Sequence, residues 1–166
     1  MAVAPYCERV TWPMWFHLIM AMVVGIALAS AAGILRRGEA VLFALVPFFG
    51  AALVGYVWWR MRVLIIEFGP EGAAYGFGRG NNRVPIESIE SATPEEYRVT
   101  RYMGWGWRLG REAGDRAYSV IGYPRGVRLI YQAANDRRRS VFLTCSRPDD
   151  ACDALTGSVR KVSGAS

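Results

Sequence analysis

MWFHLIMAMVVGIALASAAGIL, residues 14–35, decides the fold. Its twenty-two positions carry no formal charge unless His17 protonates. Nineteen more uncharged positions, VLFALVPFFGAALVGYVWW, follow at 41–59. At 1.5 Å per residue the two stretches predict helices of roughly 28–33 Å, the thickness of bilayer hydrocarbon. Only RRGEA separates them, so they must run antiparallel as neighbours in a transmembrane hairpin. A signal peptide fits poorly: the basic n-region is weak and a second span follows at once. Ala21, Gly25, Ala29 and Gly33 recur every fourth position, and Ala51 and Gly55 repeat the interval. Such small residues predict close helix packing, within the hairpin or between copies of it. Pro47 is expected to bend the second helix, because it removes a backbone donor.

The chain has 166 residues and net charge +6. Arg9, Arg60 and Arg62 flank the side of the hairpin that holds both chain ends, against Arg36 and Arg37 in the turn. Three against two favours a cytoplasmic location for the remainder. Cys7, Cys145 and Cys152 form no disulfide framework or metal-ligand spacing and read as reduced thiols. Tryptophans crowd the helix ends: Trp12 and Trp15 before the first, Trp58 and Trp59 closing the second. Aromatics at such positions anchor helices at the membrane interface. Residues 1–13 accordingly read as an interfacial segment, 14–59 as the hairpin, 60–162 as a folded domain and 163–166 as a disordered tail.

From residue 60 onward the pattern changes to short β-branched and aromatic runs. RVLIIEF (62–68), AAYGFG (73–78), RVPI (83–86), WGWRL (105–109), AYSVIGY (117–123), GVRLIYQ (126–132) and SVFLTC (140–145) read as strands. TPEE (93–96) reads as a break, and EYRVTRYM (96–103) alternates loosely. One helix follows: Ser146 as cap, Asp149 three residues on, Pro148 in the first turn, and an apolar stripe at Ala151, Leu155, Val159 and Val162. About seven strands and one terminal helix predict an α+β chain with a bent antiparallel sheet or barrel capped by that helix.

This order resembles the bacterial pleckstrin-homology-like (PH-like) membrane proteins with two N-terminal helices and one such domain. GWGWR (104–108), AYSVIGYPRGVRL (117–129) and TCSRPDDACDAL (144–155) carry the resemblance, which runs from YCER at 6–9 to the last helix. It implies a bacterial inner-membrane location and a PH-like domain. It implies no activity, since that family is mostly without one assigned.

GWGWR is no dinucleotide fingerprint, because Leu109 stands where the third glycine belongs. As a strand it places Trp105 and Trp107 on one face and Gly104 and Gly106 on the other, which predicts tryptophans in the core or at a partner contact. Arg108 beside them, and Arg147 in the first turn of the last helix, are interaction candidates. Arg147 is disfavoured there by the helix dipole unless Asp149, Asp150 or a bound anion offsets it. Arg137, Arg138 and Arg139 lie in an expected turn and are candidates for anionic lipid. From residue 60 the chain carries seventeen Lys and Arg against twelve Asp and Glu, net +5. These interleave, so nucleic acid is not expected as a partner. The only histidine, His17, lies in the first apolar stretch, so no Ser–His or Cys–His pair can form in the domain. No cofactor or metal motif is present. The sequence predicts a non-enzymatic, membrane-anchored interaction module that binds a protein partner or itself, with anionic-lipid sensing as the second expectation.

Overall fold

The computed structural model describes residues 5–38, 41–78, 82–134 and 136–163, with side chains as far as Thr156. It is α+β and divides into two units: residues 12–62, and residues up to Thr11 together with those from Val63 onward.

The first unit is a helical hairpin of α1 (Met14–Arg36) and α2 (Val41–Met61). Both helices are long and apolar enough to cross a membrane. Large side chains such as Leu18, Met22, Phe43, Val46 and Phe49 are exposed, because two helices alone cannot bury apolar surface on all sides. The seam is narrow. Among the less exposed positions, His17, Met20, Val24, Ala27, Ala31 and Ile34 on α1, and Ala44, Pro47, Ala51, Val54, Trp58 and Met61 on α2, alternate three and four apart, with Phe16, Gly33, Gly55 and Arg60 beside them at intermediate exposure. That 3.5-residue average is the repeat of left-handed helix pairs. The expected stripe is not this seam. Ala21, Gly25 and Ala29 are exposed, and an added Cβ at Gly25, Gly33 or Gly55 meets nothing within 4 Å. Of the six small residues only Ala51 is buried in the pair. An interval of four drifts about 40° around a helix at each step, so such a stripe leaves a straight seam within two turns.

The second unit holds nine strands among the described residues, in two sheets. Strands β1 (Tyr6–Thr11), β2 (Val63–Gly69), β3 (Gly72–Phe77) and β4 (Asn82–Pro85) form an antiparallel sheet in that order. β1 is the main surprise. Residues 6–11, read from sequence as an interfacial segment, pair along β2 from Tyr6↔Phe68 to Thr11↔Val63. The hairpin is therefore inserted between the first two strands of the domain. Two residues link β1 to α1, and one links α2 to β2.

The second sheet contains β5 (Ile89–Glu96), β6 (Gly106–Leu109), β7 (Asp115–Ser119), β8 (Arg125–Gln132) and β9 (Arg138–Thr144), ordered β5-β8-β9-β7-β6. It is mixed rather than purely antiparallel, since β7 and β9 run parallel. The TPEE segment does not break the run: Pro94 pairs with Val127 on the edge strand β5, where a missing donor is tolerated. The loosely alternating stretch 96–103 holds the end of β5 and the short helix α3 (Val99–Tyr102). Helix α4 (Pro148–Ser163) starts one residue later than a Ser146 cap requires: the carbonyl of Arg147 accepts its first bond, from Ala151 N–H. The GRGNN turn, at residues 79–81, the stripe positions Val159 and Val162, and tail residues 164–166 lie outside the described residues or side chains.

Leu64, Ile66 and Phe68 of β2, Val127 and Leu129 of β8, Val141 and Leu143 of β9, and Ala151 and Leu155 of α4 are fully or almost fully buried. β9 buries Val141, Phe142 and Leu143 in succession, so both faces of its sheet are covered. A smaller cluster of Tyr102, Ala117 and Phe142, with Tyr97 against it, fills the second face.

Candidate functional site: an arginine-flanked apolar edge

The segment RVTRYMGWGWRLGR, 98–111, contains four arginines and no acid. Its inner side is fixed firmly. Tyr97 stacks on Tyr102 at 5.5 Å between ring centroids, and also contacts Trp105 at 4.6 Å and Phe142 at 5.2 Å. Tyr102, at the end of α3, donates its hydroxyl to Asp115 Oδ1 at 3.1 Å and accepts Arg128 Nη2 at 3.0 Å.

Asp115 is the hub of this anchorage. Its Oδ1 accepts from Ser140 Oγ at 2.6 Å and Arg128 Nη1 at 3.1 Å, and its Oδ2 accepts Arg101 Nε at 2.7 Å. Arg128 also pairs with Glu95. Burial alone would raise the Asp115 pKa, but hydrogen bonds from Ser140 and Arg101 and the charges of Arg128 and Arg101 hold it below the ordinary value. Burial pushes the Tyr102 hydroxyl up to about 12, although Arg128 opposes it. Among the described residues no buried side-chain nitrogen or oxygen lacks a hydrogen-bond partner. These residues are far apart in sequence, so no local motif announces them.

The outer side is the reverse. After α3 the chain turns sharply through Met103, Gly104 and Gly106, whose φ values are +55°, +130° and +96°. Glycine suits two of these left-handed positions. The turn cancels the strand alternation that would put both tryptophans on one face. Trp105 lies outside β6 and packs inward on Tyr97, whose hydroxyl donates to the Gly104 carbonyl. Trp107 lies in β6 opposite Tyr118 and is 48% exposed. With it Val99, Met103 (81% exposed) and Leu109 (62%) are the exposed large apolar side chains of the sheet domain among the described residues. All four fall within eleven residues, and β6 is an edge strand with one side unpaired. Arg98, Arg108 and Arg111 are interspersed with them along the chain in exposed positions, and Arg108 Nε donates to the Trp105 carbonyl at 3.0 Å. Arg101 turns inward to Asp115 and Glu112. Composition flags the exposed apolar trio beside Trp107 only through the acid-free run of 98–111.

The remaining candidates are spread out. Arg147 pairs with Asp150 at 3.3 Å and lies over the Tyr6 ring at 5.7 Å, so an acid does offset it. No described contact joins Arg147 to Arg108. The three consecutive arginines do not share one loop: Arg137 is exposed in the turn, Arg138 opens β9 and pairs with Glu90 at 2.7 Å, and Arg139 is half-buried. The four interface tryptophans divide. Trp12 donates to the Met61 carbonyl at 2.8 Å and Trp58 donates to His17 Nδ1 at 3.0 Å, tying the hairpin ends together. Trp15 and Trp59 are exposed, the latter under Arg62 at 3.9 Å.

Comparison with protein-family models, with curated proteins and with solved structures finds no match.

Proposed function

We propose that this chain is a non-enzymatic, membrane-anchored interaction module of PH-like type. In this reading the hairpin holds the sheet domain at the cytoplasmic face of a bacterial inner membrane, and the β6 edge receives another polypeptide. Two sheets followed by one terminal helix are compatible with the PH-like resemblance. The groups that could do chemistry are engaged internally: Asp115 is saturated with donors, and burial drives the Cys145 thiol up to about 12.

The observation that carries the reading is that, among the described residues, the exposed large apolar side chains of the sheet domain are Val99, Met103, Trp107 and Leu109, within eleven residues that end in the unpaired edge strand β6. A partner strand added to β6 would satisfy its free backbone groups. Covering the exposed parts of Trp107 and Leu109 contributes on the order of 1 kcal/mol each. Arg98, Arg108 and Arg111 favour a partner segment carrying acids as well as apolar residues. The same arginines support a second reading, in which the edge rests on anionic lipid.

A photo-reactive residue at position 107 of the full chain, irradiated in native membranes, tests this. One discrete protein adduct, abolished by Leu109→Asp, supports the leading reading; an adduct of doubled mass identifies a second copy. Adducts with lipid alone, or none, overturn it.

A further inference from the structure

A different place in the domain carries the chemistry of a ligand site. The interior between the two sheets is apolar beneath α4, but becomes polar where β3 and β4 face β7, β8 and β9. A cleft of about 670 Å³ opens there, lined among others by Tyr75, Asn82, Arg83, Arg116, Tyr131 and Arg139. That is within the usual size of small-molecule sites, roughly 300–1,000 Å³.

Its walls are organised by hydrogen bonds and ring contacts. Asn82 Nδ2 donates to the Tyr118 hydroxyl at 3.1 Å and to the Tyr75 carbonyl at 3.2 Å, holding β4 to β3 and to the opposite sheet. Tyr75 meets Tyr118 edge-on at 5.3 Å. Tyr131 stands opposite Arg139 in the β8–β9 register, and Arg116 shares the face of Tyr118 on β7. Burial of the Tyr75 hydroxyl, with Tyr131 beside it, raises its pKa, while the charge of Arg116 acts the other way. Tyr75 therefore stays protonated as a donor.

The arginines are the unusual part. Among the described residues Arg83, Arg116 and Arg139 form no ion pair, although five other arginines of the domain do. Arg116 and Arg139 are half-buried. Of the described clefts Arg116 lines this one alone, whereas Arg83 and Arg139 stand at its borders and also line neighbouring depressions. The acids of the lining, Glu87 and Asp136, pair with none of the three, and Asp136 accepts from Gln132 instead. Guanidinium groups that line one cleft without a paired carboxylate repel one another until an anion neutralises them. Two or three of them match a dianion better than a single carboxylate, and guanidinium geometry suits phosphate oxygens.

We infer that this cleft binds a phosphate monoester, its dianionic head held by Arg116 and Arg139 with Arg83 at the rim and its organic part against Tyr75 and Tyr131. The phosphoryl group can belong to a soluble metabolite or to a monoester lipid headgroup.

The test uses the full chain in phosphatidylcholine nanodiscs, titrated with inorganic phosphate against chloride at equal ionic strength. Phosphate raises the thermal midpoint. Arg116→Gln weakens phosphate binding about tenfold or more, and Arg116→Lys, which keeps the charge, loses less. Should Arg116→Gln lower the midpoint in chloride, Arg139→Gln followed by phosphorus-NMR line broadening gives the same comparison. Discs containing phosphatidic acid separate the two sources: loss of the response to added phosphate indicates a lipid headgroup, and its persistence indicates a soluble ligand. Equal midpoints in phosphate and chloride, or a rise that survives both glutamine variants, overturns the inference.

Discussion

The carboxylate of Glu8 accepts the backbone N–H of Ser146 at 3.0 Å, joining two residues 138 positions apart. Glu8 lies on the strand before the hairpin, and Ser146 lies just before the last helix. Tyr6 donates its hydroxyl to the same carboxylate. The sheet domain is therefore closed by residues from both sides of the helical hairpin.

It follows that residues 63–163 alone are not the domain. Without β1 they lose the buried Tyr6 and Val10 and expose the edge of β2. We expect that fragment to aggregate or to unfold non-cooperatively. Since Thr11 pairs with Val63, a two-residue Asn-Gly turn joining residue 11 to residue 63 replaces the hairpin with the shortest favoured connection. That version is expected to be soluble and to melt cooperatively, as circular dichroism would record. Equal folding of the two chains would contradict the role assigned to β1.

Asp115→Asn removes the charge that Arg101 and Arg128 share. Breaking a buried pair on one side costs about 3–5 kcal/mol. The folded pKa of Asp115 lies below its ordinary value of 3.8. Its contribution is thus complete above that value and drains away as pH falls through the lower folded one. Denaturant unfolding of wild type and variant should converge at low pH; a constant gap down to pH 2 would refute the assignment.

Cys145 and Cys152 are buried, and burial raises their pKa to about 12 and about 11 from 9.0. The thiols favour the folded state while the unfolded chain would ionise. Stability from them is intact below pH 9 and is lost progressively as pH climbs towards 11–12. Cys7 is exposed. Mass spectrometry after native alkylation near pH 8 should find one label per chain, and three after denaturation.

Gly126→Ala places a Cβ 2.2 Å from the Leu143 carbonyl oxygen and 2.7 Å from the Phe142 ring. β8 and β9 must separate to admit it, at a cost of about 1–3 kcal/mol or more. A midpoint within 1 °C of wild type in thermal melts would show that the strands give way freely.

In the hairpin the seam is tested by contrast. Ala51→Leu overfills a buried position, whereas Gly25→Leu points into open space. Cysteines placed at Met20 and Val54 in a chain otherwise free of cysteine report helix proximity by cross-linking. Ala51→Leu should lower the yield and Gly25→Leu should leave it unchanged.

Much of this was legible in the sequence because it is written locally. Two charge-free runs of bilayer length define α1 and α2, alternating β-branched runs define most strands, and Pro148 with its acids marks the start of α4. The strand at 6–11 was not legible, since a six-residue segment beside an apolar helix gains its identity from β2, fifty residues away. The helix seam, the opposite fates of Trp105 and Trp107, and the Asp115–Arg128–Tyr102 network were likewise decided only in the tertiary structure. Periodicity is a property of neighbours along the chain. Pairing register, left-handed glycine turns and the convergence of distant charges depend on which surfaces the whole chain buries together.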